Sequence, residues 1–257
     1  MFDFGNANEG QRKAIATAEG PVLITAGPGT GKTYTLVQRA IYLIEECGVK
    51  PESIFIATFT EKAAKELITR ITNELSDRGI VANINEMYIG TFHSLCLRIL
   101  KENLEFTRLR RNYRLLDAFD QQYMVFQNIY RFRNIPEVES ALPNGGAWKQ
   151  SEAICNYVNN LSEELVTPEE LMSDADVSIA ALGQMLKEYR DVLTEGNMMD
   201  FSSIQIEAYH LLCDHADILE EMRSKVTHIM VDEYQDTNFI QEQLVFLLAG
   251  DRKNICV

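Results

Sequence analysis

The chain has 257 residues, 46% of them hydrophobic and 24% charged, a composition that excludes disordered, collagen-like and membrane-embedded classes. It has no apolar run near the roughly 18 residues of a membrane span, and Met1-Phe2-Asp3-Phe4-Gly5 lacks the basic flank and apolar stretch of a secretion signal, so the expected compartment is the cytoplasm. The formal charge of −14 alone argues against a nucleic-acid partner, but 18 acids against 5 bases crowd into 135–227 while Arg108, Arg110, Arg111, Arg114, Arg131 and Arg133 form a basic island, so charge leaves DNA open.

Val22-Leu-Ile-Thr-Ala26 is a short apolar run that leads into a glycine-rich turn and then a helical pattern. The same strand-then-helix rhythm returns at 53–59 followed by 61–75, at 87–92 followed by 94–102, and at 228–232 followed by 239–248, with Asn254-Ile-Cys-Val257 as a fifth strand. Alternation of this kind predicts a parallel sheet with helices on both faces. From about 108 to 196 the strand signal disappears and apolar residues fall at helical spacing, as in Ile179, Leu182, Met185, Leu186, Tyr189, Val192 and Leu193. Thr167-Pro168-Glu169-Glu170 is a helix start, with a hydroxyl cap, Pro in the first turn and Glu at the third position. The expected fold is therefore an α/β domain, residues 1–107 and 197–257, interrupted by an all-helical insertion, residues 108–196. The cysteines lie more than forty positions apart, without zinc or redox spacing, and are expected to be buried free thiols.

Ala26-Gly27-Pro28-Gly29-Thr30-Gly31-Lys32-Thr33 has the form of a P-loop. Its glycines let backbone N–H groups turn inward around phosphate, and the following helix adds its positive end. Lys32 is placed to reach the terminal phosphates and the Thr33 hydroxyl to ligate Mg²⁺. Val231-Asp232-Glu233 supplies the other half: Asp232 to hold the metal, Glu233 to orient and deprotonate the attacking water. Thr58-Phe59-Thr60-Glu61-Lys62 and Gly90-Thr91-Phe92-His93-Ser94 end the second and third strands, the edge at which open α/β sheets bind ligands. An aromatic there, flanked by hydroxyls and a Lys or His, suits an unpaired base and its phosphate, although each Phe taken singly reads as core.

With these motifs identified, the chain resembles the N-terminal part of superfamily 1 DNA helicases of the UvrD, Rep and PcrA type. The matching pieces are Asn8 to Gln11, Ala26 to Thr33, Thr58 to Ala64, Gly90 to Ser94, Asp200-Phe201 and Val231 to Asn238, in family order. The resemblance implies a RecA-like P-loop motor domain with a helical insertion, using ATP and Mg²⁺ to move along single-stranded DNA, usually 3′ to 5′, and meeting single-strand/duplex junctions. It makes Lys32, Glu233 and Gln235 the catalytic set, with Gln235 sensing the γ-phosphate or the attacking water. Gln11 reads the adenine edge, and Ala26, Gly27, Pro28, Gly29, Thr30, Gly31, Lys32, Thr33 and Tyr34 line the nucleotide. Phe59 stacks on a base, with Thr58, Lys62, Thr91 and His93 as further DNA contacts. The basic island opens an insertion that faces duplex DNA in the family. Tyr34 stands where several relatives carry Arg, and Ser202-Ser203 follow Asp200-Phe201 where the family commonly has two acids.

Relatives continue past the position of Val257 into a second motor domain that supplies arginine fingers, groups worth about 10³- to 10⁵-fold in rate. The 257 residues alone are accordingly expected to bind nucleotide weakly and unwind nothing. Alternatives remain open. One is the helicase subunit of a RecB- or AddA-like helicase-nuclease; another is a P-loop phosphotransferase unrelated to DNA. A degenerate DNA-binding module is disfavoured because Lys32, Thr33, Asp232 and Glu233 are all present.

Overall fold

Ile54-Phe-Ile-Ala-Thr58 is buried at every position, which is what an apolar strand covered on both faces of a parallel sheet requires. The computed structural model of the protein, which describes residues 2–27, 29–138 and 142–257, places this strand (β1) inside a sheet of order β2-β1-β5-β6. Its neighbours are β2 (Tyr88–Thr91) and β5 (His228–Val231), with β6 (Ile255–Cys256) beyond β5. All pairings are parallel. The register sets Thr58 beside Thr91 and Ala57 beside Val231, so three strand ends finish on one edge.

Helices flank the sheet. Helix α1 (Glu9–Ala16) precedes the glycine turn, α2 (Lys32–Glu45) follows it, and α3 (Glu61–Asp77) and α4 (Phe92–Glu102) follow β1 and β2. On α3 the buried residues Ala64, Leu67, Ile71 and Leu75 recur at helical spacing, and Thr60 caps its start by accepting from the Ala63 N–H at 3.1 Å. Ile41, Leu43, Ile54, Ile56, Leu67, Ile71 and Met230 form the core beneath the site.

The expected first strand is only a fragment. Val22 bridges Cys256 in parallel, with Val22 N–H to Ile255 O at 2.8 Å and Ile24 N–H to Val257 O at 2.7 Å. Leu23 between them is 76% exposed.

The chain divides into two compact units, Met1–Leu95 with Leu212–Thr237 and Gln241–Val257, and Cys96–Leu211 with Asn238–Ile240. These boundaries differ from 107/108 and 196/197 because they fall inside continuous helices, α4 and Phe201–Asp214. Loss of strand periodicity marks where a sheet ends, not where a helix changes packing partners. The second unit is also not all helical: Arg114–Leu115 (β3) and Met198–Met199 (β4) form a two-stranded parallel sheet. Around them pack Val125, Phe132, Ile154, Val158, Leu186, Tyr189 and Leu193. Thr167 and Glu170 make the anticipated capping box, on a helix of five residues. Of the free cysteines, Cys96, Cys155 and Cys256 are buried, but Cys47 and Cys213 are exposed, since both sit at outward-facing helix ends. Burial pushes the Cys96 and Cys155 thiols up to about 12.

The second unit contains a buried polar node. Asp200, 2% exposed, accepts from the Tyr189 hydroxyl, from Gln121 Nε2 at 3.1 Å and from the Ser203 N–H at 2.7 Å. Asp200→Ala is expected to destabilise the protein by about 3 kcal/mol or more, because buried donors are left without an acceptor and a helix loses its cap. Chemical denaturation measures this; a loss under about 1 kcal/mol, the value of one ordinary hydrogen bond, would show that the node is dispensable.

Candidate nucleotide and DNA site

The turn that enters α2 needs left-handed backbone at Gly29 (φ +75°) and Gly31 (φ +91°), conformations that only glycine adopts without cost. Gly31 is the N-cap of α2, and among the described residues no side chain caps that helix. Its first N–H groups are therefore left for an anion. Thr30 closes the turn by donating its hydroxyl to Gly27 O at 2.6 Å. Pro28 lies outside the described residues.

Across from the turn, β5 ends at Val231 and the Asp232 N–H donates to Ala57 O at 2.9 Å. Glu233 takes a left-handed backbone (φ +52°), a conformation that costs a non-glycine residue about 1–3 kcal/mol and tends to cluster at functional sites. The sharp turn sends its carboxylate to Lys32, with Nζ to Oε2 at 2.9 Å. The same oxygen accepts from Gln235 Nε2 at 2.6 Å. Hydrogen bonding to Lys32 and Gln235 holds the Glu233 carboxyl below its ordinary range, and Glu233 in turn raises the Lys32 ammonium. Asp232 goes the other way: burial, then the Glu233 charge, raises it.

Lys32 lines three adjoining cavities. One of about 820 Å³ has Gly29, Gly31, Thr33, Tyr34 and Glu233 in its wall. One of about 270 Å³ is bounded by Leu23, Leu36, Val231 and Asp232. One of about 420 Å³ reaches Ala26, Gly27, Thr30 and Gln11. The residues fit a Mg²⁺-nucleotide: open helix N–H groups for phosphate, a Lys, and hard oxygen donors in Thr33 and Asp232. Among the described residues no group of three or more His, Cys, Asp and Glu could hold a metal by itself.

Gln11 is not a merely solvated residue before a helix. It is the third residue of α1 and completes a capping box with Asn8, while its Nε2 donates to Thr30 O at 3.0 Å, inside the glycine turn. Tyr34 lines the largest of these cavities but directs its hydroxyl to Phe4 O at 3.0 Å. Arg70 of α3 shares that cavity and escaped sequence reasoning. At i+4 from Glu66, with which it forms an ion pair, it reads as an ordinary solvated helix charge; only the packing of α3 brings it to the site.

The strand-end residues separate into two kinds. Phe59 is 53% exposed, whereas Phe92 at the equivalent place after β2 is 4% exposed. One is a presented ring and the other is core. Lys62 is exposed and His93 half-buried. Thr58 is 1% exposed and donates its hydroxyl to Thr60 O at 3.1 Å, which leaves it holding the strand tip rather than offering a free hydroxyl. The buried Thr91 likewise donates to Glu61 Oε1 at 3.2 Å and accepts from the Ser94 N–H. In the second unit the basic island is largely engaged within that unit: Arg108 pairs with Glu207, Arg114 with Asp120, Arg131 with Glu188 and Glu195, and Arg133 bonds to Gln150.

Among the described residues no helix is long and apolar enough to cross a membrane. The chain is 34% identical over 253 residues to the ATP-dependent DNA helicase PcrA of Staphylococcus epidermidis, a match covering 98% of this chain and 33% of that protein. It is 33% identical over 251 residues to the protein of the same name from Staphylococcus aureus, covering 97% and 32%. The chain thus spans about a third of the length of the curated relatives it matches. The sequence model described as the UvrD/REP helicase N-terminal domain matches residues 7–257, and the chain belongs to that family.

Proposed function

We propose that the chain is the nucleotide- and DNA-gripping part of an ATP-dependent DNA helicase, with the first unit as the motor domain and the second as its insertion. The observation that carries this is the convergence of Lys32 and Gln235 on one Glu233 carboxylate oxygen beside the start of α2, on the same sheet edge that presents Phe59.

In this reading the α2 N–H groups and Lys32 hold phosphate, and Gln11 recognises the base. Thr33 and Asp232 would hold Mg²⁺, which supplies charge neutralisation on the phosphates when bound. Glu233 takes the proton of the attacking water, and Gln235 orients that water. Phe59 stacks on a base of single-stranded DNA, while Lys62 and His93 meet its backbone; Thr58 and Thr91 fix the strand tips that aim them. Arg70 adds a cation to the phosphate pocket. Travel in the 3′ to 5′ sense rests on family likeness, and unwinding of duplexes with a 3′ rather than a 5′ single-stranded tail measures it. An exposed ring at a strand tip is what single-stranded DNA stacking needs and is not a usual feature of phosphotransferases, which favours the DNA reading.

Binding of a fluorescent ATP analogue with Mg²⁺ or with EDTA, and of fluorescent oligo(dT), tests the proposal. Both ligands are expected to bind, the nucleotide in a Mg²⁺-dependent way; failure to bind oligo(dT) would overturn the DNA half. Asp232→Asn is expected to abolish the Mg²⁺ dependence and yet raise the melting temperature of the nucleotide-free protein. The sign follows from the raised carboxyl. Its proton is held more tightly folded than unfolded, so stability falls as pH rises from the ordinary carboxylate pKa through the raised one. The neutral amide escapes that penalty. A lower melting temperature at neutral pH would contradict it.

A further inference from the structure

Arg39, on the second turn of α2, is 2% exposed, an unusual place for a guanidinium. Burial depresses its pKa, and its Nε has no hydrogen-bond partner among the described residues. A charge kept there despite the cost of desolvation needs a use that a hydrophobic residue would not serve.

Its Nη1 supplies one. It donates to Ala14 O at 2.6 Å and to Thr17 O. These carbonyls lie at the carboxyl end of α1, where backbone acceptors lack helical partners and a positive charge is favoured. The other end of α1 carries Gln11, whose Oε1 accepts from the Asn8 N–H at 2.9 Å and whose Nε2 donates to Thr30 O. Helix α1 has eight residues and is thus tied at both ends to one rigid body, the glycine turn with α2. Released at Arg39, its carboxyl end would lose both of these bonds while the Gln11 tie and the packing of Ile15 remain, and that end could shift about them.

We propose that Arg39 is a positioning residue for base recognition: by clamping the carboxyl end of α1 to α2, it fixes the direction in which Gln11 presents its carboxamide to adenine. This rests on the reading of Gln11 as the base-contacting residue. Arg39 lines none of the three cavities around Lys32, so its effect on the base passes through α1.

Dissociation constants of fluorescently labelled ADP and GDP, and of tripolyphosphate by competition, separate the possibilities in wild type, Gln11→Ala, Arg39→Lys, Arg39→Met and the Gln11→Ala/Arg39→Met double variant. Arg39→Met is expected to reduce the ADP-over-GDP preference about tenfold, roughly the value of one well-placed hydrogen bond. Tripolyphosphate, which has no base, binds it as wild type. Arg39→Lys, able to reach one carbonyl, falls between and serves if the Met variant does not fold. The double variant loses no more preference than Gln11→Ala, because both substitutions act on the same interaction with the base. Equal weakening of tripolyphosphate and ADP, or additive losses in the double variant, would overturn the proposal. If Gln11→Ala leaves the preference intact, the base-reading role of Gln11 fails; if Gln11→Ala removes it and neither Arg39 variant does, only the Arg39 proposal fails.

Discussion

Replacing Glu233 by Gln is expected to cut DNA-stimulated ATP turnover about 10³-fold, within the range for removal of a general base, while nucleotide binding is kept or modestly tightened. The measurement belongs in a polypeptide long enough to include both motor domains that the family resemblance implies. The split between rate and affinity follows from the pairing of Lys32 with Glu233. Lys32 Nζ lies 2.9 Å from Glu233 Oε2, and a phosphate that is to be held by Lys32 must draw it away. Both side chains are partly exposed, 30% and 38%, so the pair is a weak competitor and its loss helps binding only a little. Lys32→Ala, by contrast, removes the phosphate's own partner and loses affinity and rate together. The pH behaviour carries a sign as well. With Lys32 and Gln235 donating to it, the Glu233 carboxyl titrates below its ordinary range. If Lys32 moves to phosphate as proposed, that support is withdrawn, and the carboxyl climbs back to become the stronger base. The acid limb of kcat, which reports the bound complex, is therefore expected at higher pH than that of kcat/KM. Turnover of the Gln variant within tenfold of wild type would remove Glu233 from the role of base.

The site was legible in the sequence to the extent that its chemistry is local. The expected glycine-rich turn is there, with left-handed backbone at Gly29 and Gly31, and Asp232-Glu233 follow a strand that is buried throughout. What depends on neighbours distant in sequence was not legible. Val22 to Ala26 has a strand's composition, but its pairing consists of the bonds of Val22 and Ile24 with Ile255 and Val257, contacts with residues far away in the chain. Arg114–Leu115 is a strand of two exposed residues; it has no periodicity to detect and exists because Arg114 and Leu116 N–H groups find Asn197 and Met199 carbonyls. Thr58 and Thr91 read as hydroxyls at strand tips, yet burial and inward hydrogen bonds turn both to structural use. Phe59 and Phe92 both follow a strand-ending Thr, and their different exposure, 53% against 4%, is set by packing that the local sequence does not show.

That difference between two similar rings sets up the second large effect. Phe59→Ala is expected to weaken single-stranded DNA binding by about 1–3 kcal/mol, the usual loss for one base-stacking aromatic, which is roughly five- to 150-fold in Kd. The fold should hardly notice. The ring is 53% exposed, it lies between the end of β1 and the Thr60 cap of α3, and substitutions at such exposed positions usually change stability by no more than about 0.5 kcal/mol. Phe92→Ala is the matched control. With 4% exposure it should destabilise the protein by about 3–5 kcal/mol as a buried ring deleted from a core, and any weakening of DNA binding there should track unfolding. Lys62→Ala supplies the electrostatic counterpart: removing one ammonium from a DNA phosphate lowers the salt slope of single-strand binding by about 0.7, while Phe59→Ala leaves that slope alone, since stacking releases no counterions. Fluorescence anisotropy with oligo(dT) across a salt series reads both quantities in one experiment. Oligo(dT) affinity unchanged in a well-folded Phe59→Ala protein would mean the exposed ring serves something other than a base, and the track would then have to be sought elsewhere on the sheet edge.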